Sequence, residues 1–274
     1  MGPVTENWRQ ASPANSSEAP TAGSYGDRLA QLAAKIEFKR ADSEQEREAI
    51  FRLRYKSYIR EDAIPANASG LFTDHDDEVE NSYLIGAYID GELATSLRLT
   101  VASKDGIPDC PSLHVFPDVL QPFLDDGKVL VDTTRFVTDE RLSRLYRGLP
   151  LVTIRMCVAA AEYFGAHHLL AAVRSEHRAF YIRSFGSKVL CPSRPYPPLL
   201  KQISLTTVYF PTQGAELYRR YPFYRSTPSE RQKLFERPQR ANGQARHKAA
   251  PVPQRSDSLG TDPPFVESAP VVPR

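Results

Sequence analysis

Val129-Leu130-Val131-Asp132-Thr133-Thr134-Arg135-Phe136-Val137 is rich in β-branched residues and reads as a core strand, yet it holds an aspartate and an arginine three positions apart. An unpaired ionised carboxylate or guanidinium is costly to bury, so such groups pair, shift their pKa or line a site. Two readings stand side by side: an internal Asp–Arg structural pair, or part of a functional site. Strict alternation puts Asp132 and Arg135 on opposite faces. One pocket can use both only if the strand bulges or splays.

Upstream of this strand, residues 83–89 and 92–101 flank Asp90-Gly91, a dipeptide that favours a two-residue I′ hairpin turn. In the second of these strands Leu93, Thr95, Leu97, Leu99 and Val101 share one face. Arg98 stands on the other with Ala94, Ser96 and Thr100, a second charge in an otherwise uncharged strand. Earlier still, residues 36–40 alternate as a first strand, and Ser43 with Glu46 forms a capping-box pattern that opens a helix to about residue 60. Ala49, Ile50 and Leu53 make one apolar strip on that helix, and Phe51, Tyr55 and Tyr58 make another. Residues 63–81 form a polar connector containing Asp74-His75-Asp76-Asp77-Glu78.

A short helix is expected near residues 118–124, ahead of the charged strand. Downstream of it, residues 139–148 read as a basic loop. Pro150 then suits the first position of an apolar, buried helix over 151–164, and Gly165 offers its stop. Residues 168–173 form a short strand, Ser175 caps a helix over 176–184, and strands at 188–190 and 203–210 complete the pattern. The order β-α-loop-β-β-β-α-β-α-β-β implies an α+β class with a mixed sheet covered by helices.

The 274 residues carry 41% apolar side chains, enough for a sizeable core, and 35 basic against 33 acidic ones, a balance that excludes a polyelectrolyte binder of nucleic acid. Residues 1–26 and 226–274 are poor in large apolar side chains and are expected to be disordered tails, the second rich in Pro and Arg. Residues 27–225 then form one domain. No apolar run approaches the ~20 residues of a transmembrane segment, and no secretory signal is evident at the start, so a cytoplasmic location is expected. Cys110, Cys157 and Cys191 are odd in number and widely spaced, without a metal-ligand pattern. His167, His168 and His177 have no partner at metal-ligand spacing either.

The element order resembles the GNAT acyltransferase fold, a mixed, mostly antiparallel sheet flanked by helices. Phe51-Arg52-Leu53-Arg54-Tyr55-Lys56-Ser57-Tyr58 resembles the first-helix motif shared by acyl-homoserine-lactone synthases and long-chain N-acyl amino acid synthases. Asp74 with Asp76 and Asp77, then Arg98, then Asp132-Thr133-Thr134-Arg135-Phe136 follow in the same order as the acidic loop, the arginine and the E-x-S-R-F-type motif of those families. The likeness covers residues 38–210 and is nearer the N-acyl amino acid synthases. Asp132 stands where the lactone synthases carry glutamate, and their tryptophan after the first helix has no counterpart, since Trp8 lies in the N-terminal tail.

The resemblance implies transfer of a fatty acyl group from acyl carrier protein to the amine of an amino acid. The alternatives are an acyl-homoserine-lactone synthase, a small-acyl N-acetyltransferase, or a non-catalytic GNAT-like ligand-binding domain. No cofactor is bound permanently, and the co-substrate is acyl-phosphopantetheine on the carrier or acyl-CoA. The usual pyrophosphate loop, R/Q-x-x-G-x-G/A, is absent, since Arg144-Leu145-Tyr146-Arg147-Gly148 has the wrong spacing, and this favours the carrier. Asp132 is assigned to contact or deprotonate the amine, directly or through water, and Arg98 and Arg135 to clamp the acceptor's carboxylate. Arg54, Tyr55, Tyr58, Asp74, Asp77, Phe136 and Tyr181 are assigned to substrate binding. Arg144, Arg147 and Arg174, with Arg141 and Arg178, are assigned to docking the acidic carrier.

Overall fold

In the computed structural model, which describes residues 24–237, Ser24 caps α1 (Tyr25–Lys35) in a reciprocal capping box with Asp27. β1 (Ile36–Arg40) follows directly, and Ser43 with Glu46 caps α2 (Glu44–Arg60) in the expected box. The connector ends in a 3₁₀ turn at His75–Asp77 before the hairpin of β2 (Ser82–Ile89) and β3 (Glu92–Ala102). Its turn residues Asp90 and Gly91 take φ of 50° and 82°, as a type I′ turn requires. α3 (Pro111–Val115) and α4 (Pro117–Asp125) both begin on proline, whose missing N–H is no loss in a first turn. The charged stretch forms β4 (Leu130–Thr138), followed by α5 (Glu140–Leu145), α6 (Leu149–Thr153) and α7 (Arg155–Phe164). The remainder is β5 (His168–Arg174), α8 (Arg178–Phe185), β6 (Lys188–Pro195), β7 (Gln202–Tyr209), α9 (Phe210–Arg220) and α10 (Pro228–Phe235).

The strands form one sheet in the order β1-β2-β3-β4-β5-β7-β6. β4 and β5 run parallel, and every other neighbouring pair is antiparallel. On one face Leu130, Leu170 and Leu205 pack with Phe116, Leu120 and Leu124 of the α3–α4 region. Beside them Ile50 and Phe51 of α2 pack on Leu84. On the other face Leu97, Leu99 and Val131 pack with Met156 and Val158 of α7 and with residues of α1 and α8–α10.

The expected mixed α+β sheet is present, with several local corrections. Residues 139–148, read as a loop, contain α5, because the Asp139 carboxylate accepts from the Leu142 N–H at 3.0 Å. The helix expected over 151–164 is divided at Ile154 into α6 and α7. α1 and α9 were not anticipated. The C-terminal tail does not start at 226: Thr227 and Glu230 form a capping box for α10, and Leu234 and Phe235 are buried, Phe235 against Tyr83, Tyr163 and Phe164. Averaged composition hid this helix, because two adjacent apolar side chains in a charged stretch suffice to anchor it. The N-terminal tail expected over 1–26 likewise gives way at Ser24, the cap of α1, and the remaining parts of the two expected tails, 1–23 and 238–274, lie outside the described residues.

Candidate active site

β4 departs from regular pleating where its charge pattern demanded it. Ser96 pairs with Val137 and Arg98 with Thr134, so Arg135 and Phe136 together oppose the single Leu97. This is a β-bulge. Arg135 takes φ of 54°, a left-handed conformation that is uncommon for a side chain of its size. The extra residue brings the Arg135 guanidinium round to the face that carries Arg98 and Asp132, while Phe136 packs toward the core on the opposite face. The conflict between alternation and a shared face is thereby resolved.

On that face three arginines interlock with the acidic connector. Arg54, fully buried on α2, donates from Nη1 to both Asp77 oxygens at 2.8 and 2.9 Å. Arg98, also fully buried, reaches Asp77 at 3.1 Å, Asp76 at 3.5 Å and the Thr134 hydroxyl at 3.0 Å, and pairs with Asp74. Arg135 donates to Asp74 Oδ2 from Nε at 3.0 Å and Nη2 at 2.6 Å, and its guanidinium lies 4.9 Å from the Phe72 ring centroid. Burial alone would raise the Asp77 carboxyl, but Arg54 and Arg98 outweigh it and hold it down at about 2. Asp74 is likewise lowered, burial being overcome by Arg135 and Arg98, whereas Asp76 is raised because burial prevails over its weaker contact with Arg98.

The bulge also opens the site. β4 and β5 pair only from Leu130↔His168 to Thr133↔Ala171, and beyond that rung they part. A cavity of about 440 Å³ occupies the parting, reaching α8 and the end of α2. Phe136, Val137, Val173, Phe180, Tyr181 and Ile203 supply apolar wall, and Arg135 brings a cation to it. Arg60, Glu61, Arg174, His177 and Lys201 add polar wall. Arg174 pairs with Glu61 at 2.6 Å and with Glu176 at 3.2 Å.

Of the residues assigned from sequence, Tyr58, Arg135, Phe136, Tyr181 and Arg174 line this cavity. Arg54, Asp74, Asp77 and Arg98 stand behind it as the charge network. The expected clamp is therefore divided: Arg98 spends its donors on three aspartates and a threonine, and Arg135 alone of the pair meets the cavity. Asp132 is also outside the lining. It is fully buried, and its two oxygens accept from the Ser112 N–H and hydroxyl, each at 2.8 Å, at the start of α3. Burial raises its carboxyl, with the Ser112 bonds only partly opposing. Direct contact between Asp132 and an amine in the cavity is not what this geometry provides. Tyr55 pins the connector, bonding the Asn67 backbone N–H and carbonyl at 3.2 Å. Arg144, in the last turn of α5, and Arg147, just beyond it, are exposed and do not line the cavity, and Arg144 pairs with Glu140.

Sequence reasoning missed Glu61, His177, Tyr196 and Lys201 as lining residues. Glu61 follows Tyr58 at i, i+3, a spacing that could have revealed it. Tyr196 and Lys201 come from the proline-rich stretch between β6 and β7, where periodicity is silent. The Tyr196 hydroxyl is buried without a hydrogen-bond partner among the described residues, a state that costs ~1–3 kcal/mol until something fills it. No group of His, Cys, Asp or Glu among the described residues is arranged to hold a metal ion. No helix among them is long and apolar enough to cross a membrane.

A mixed, mostly antiparallel sheet with a bulged β4 and a cavity where its one parallel pair parts is a GNAT-like fold. Within that class the chain belongs to the N-acyl amino acid synthase FeeM family, whose sequence profile matches residues 49–208. Its fold is similar to that of FeeM, an N-acyl amino acid synthase from uncultured soil microbes, at 17% identity and a TM-score of 0.56, over 68% of this chain and 96% of that one. The acyl-homoserine-lactone synthase LasI shares 13% identity at a TM-score of 0.49, over 63% of this chain and 88% of its own. An acyl-CoA N-acyltransferase from Pseudomonas aeruginosa shares 19% at 0.43, over 63% and 97%. No curated protein matches the chain in sequence.

Proposed function

We propose that this acyltransferase moves a fatty acyl group from the phosphopantetheine of acyl carrier protein to the amino group of an amino acid. The carrying observation is the cavity at the parting of β4 and β5, largely apolar yet bearing Arg135. Past Thr133 and Ala171 the facing strand edges no longer pair with each other. Their N–H and C=O groups can bond the amides of an extended pantetheine arm, as a sheet edge bonds an added strand. Apolar wall suits an alkyl chain, at ~0.8 kcal/mol for each methylene buried. Arg135 suits the acceptor's carboxylate.

In the reaction the neutral amine attacks the thioester carbon, the C–N bond forms, the C–S bond breaks, and the proton shed by the nitrogen passes through water to the departing thiolate, leaving an amide and a free thiol. Asp132 acts in this reading by position: it fixes Ser112 and the start of α3 behind the network and does not receive that proton directly. Arg60, Arg174 and Lys201 at the cavity support an acidic carrier as donor. Three buried free cysteines suit a reducing cytosol.

The test is to incubate the purified chain with acyl carrier protein or coenzyme A thioesters and a panel of amino acids, and to analyse products by mass spectrometry. N-acyl amino acids, formed faster from the carrier, are expected. A homoserine lactone formed from S-adenosylmethionine, or no product with any amine, overturns the reading.

A further inference from the structure

Next to the main cavity lies a second void of about 30 Å³, lined by residues of α7, α8, α9 and the sheet. Its wall is apolar, with Val158, Leu169, Phe185, Val208 and Leu217 prominent. Of its few polar lining groups, the Thr133 hydroxyl is satisfied, donating to Cys157 Sγ at 3.3 Å. A dry space of this kind suits alkyl carbons and holds water poorly.

Thr133 and Tyr181 belong to the walls of both spaces. Thr133 pairs with Ala171 in the last rung before β4 and β5 part, so the backbone there is fixed by the sheet. Tyr181 is a side chain on α8 and can be changed without touching that rung. Its ring is held by Phe180 and Phe185, at centroid distances of 5.3 and 5.8 Å. Burial, then the nearby Cys157 thiol, push its hydroxyl pKa upward, so it stays a neutral wall.

We propose that Tyr181 sets the length of acyl chain the enzyme accepts: the chain ends against its ring, and the void beyond is reserve space that the ring closes off. This rests on the fatty acyltransferase reading and adds a residue that determines specificity.

The test compares wild type with Tyr181→Ala, Tyr181→Leu and Tyr181→Phe, using a ladder of saturated acyl pantetheines. Product profiles come from mass spectrometry, binding from calorimetry, and folding from thermal melts. Tyr181→Ala, or Tyr181→Leu if the alanine variant melts early, shifts the optimum to chains two carbons longer. The expected change in preference is roughly tenfold, from ~0.8 kcal/mol per methylene and ~1.4 kcal/mol per factor of ten. Tyr181→Phe keeps the wild-type profile, and adding Val208→Phe to Tyr181→Ala fills the void and restores it. An unchanged optimum in both shortened variants overturns the proposal, as does the same shift in Tyr181→Phe. If no variant makes an N-acyl amino acid but the binding optimum still shifts, the acceptor reading fails and the role of Tyr181 stands. If neither turnover nor binding shows chain-length dependence, both fail.

Discussion

Asp77 illustrates what each charge in the network contributes. Its carboxylate faces Arg54 and Arg98, and neither guanidinium has access to water. Asp77→Asn leaves both cations under-compensated, and a loss of ~3–5 kcal/mol in unfolding free energy is expected from urea melts. The folded pKa of about 2 lies below the ordinary 3.8, so Asp77 contributes stability that is fully present above 3.8 and lost as pH falls toward 2. Melts across that window will show a shallower acid slope in Asp77→Asn than in wild type. Asp132 calls for a different experiment. In Asp132→Asn one carboxylate acceptor becomes an amide donor facing Ser112, at a cost of ~1–3 kcal/mol. Because Asp132 is outside the cavity, turnover is expected to fall without any change in the shape of its pH profile. Loss of an acidic limb in that profile would instead make Asp132 the base.

At the scale of elements, the β4 bulge does two things: it turns Arg135 toward Asp74, and it bends the strand away from β5. Deleting Phe136 removes the extra residue, restores regular pleating and turns Arg135 to the Leu97 face, away from Asp74. Circular dichroism and melting will show a poorly folded protein. Arg135→Gly keeps the bulge, since glycine adopts φ of 54° freely, and should fold while KM for the amino acid rises tenfold or more. The contrast separates the backbone device from the cation it carries. α10 is tested similarly. Phe235 is 2% exposed among three aromatic rings, so Phe235→Ala should cost ~3–5 kcal/mol despite lying in a charged C-terminal stretch.

For the whole molecule, a near-neutral net charge of +2 coexists with arginine and lysine gathered around the cavity. Attraction between such a rim and an acidic carrier acts over a distance that salt shortens, from ~10 Å at 0.1 M to ~3 Å at 1 M. Across that range kcat/KM for carrier-borne acyl groups should fall about tenfold, while the value for acyl pantetheine stays level. Equal salt dependence for both donors would rule out the docking role proposed for the rim.

The seven strands, the I′ hairpin and the capping box of α2 were legible because each is specified by residues within a few positions of one another. The charged strand announced its own irregularity, since an aspartate and an arginine of opposite parity could share a face only through a bulge. Membership in the synthase family was likewise carried by short motifs in a fixed order. The sequence alone could not say that Asp74, Asp76 and Asp77 would be spent on Arg54, Arg98 and Arg135, or that Asp132 would be sealed against Ser112. Those pairings join segments some 20 to 60 positions apart, and helix packing on the sheet decides which of them form. Tyr196 and Lys201 were hidden for the same reason, whereas α10, with its local capping box, was masked by averaging composition over a charged stretch. Local propensity fixes where the chain is helix or strand, but desolvation and packing decide which side chains remain open to a substrate.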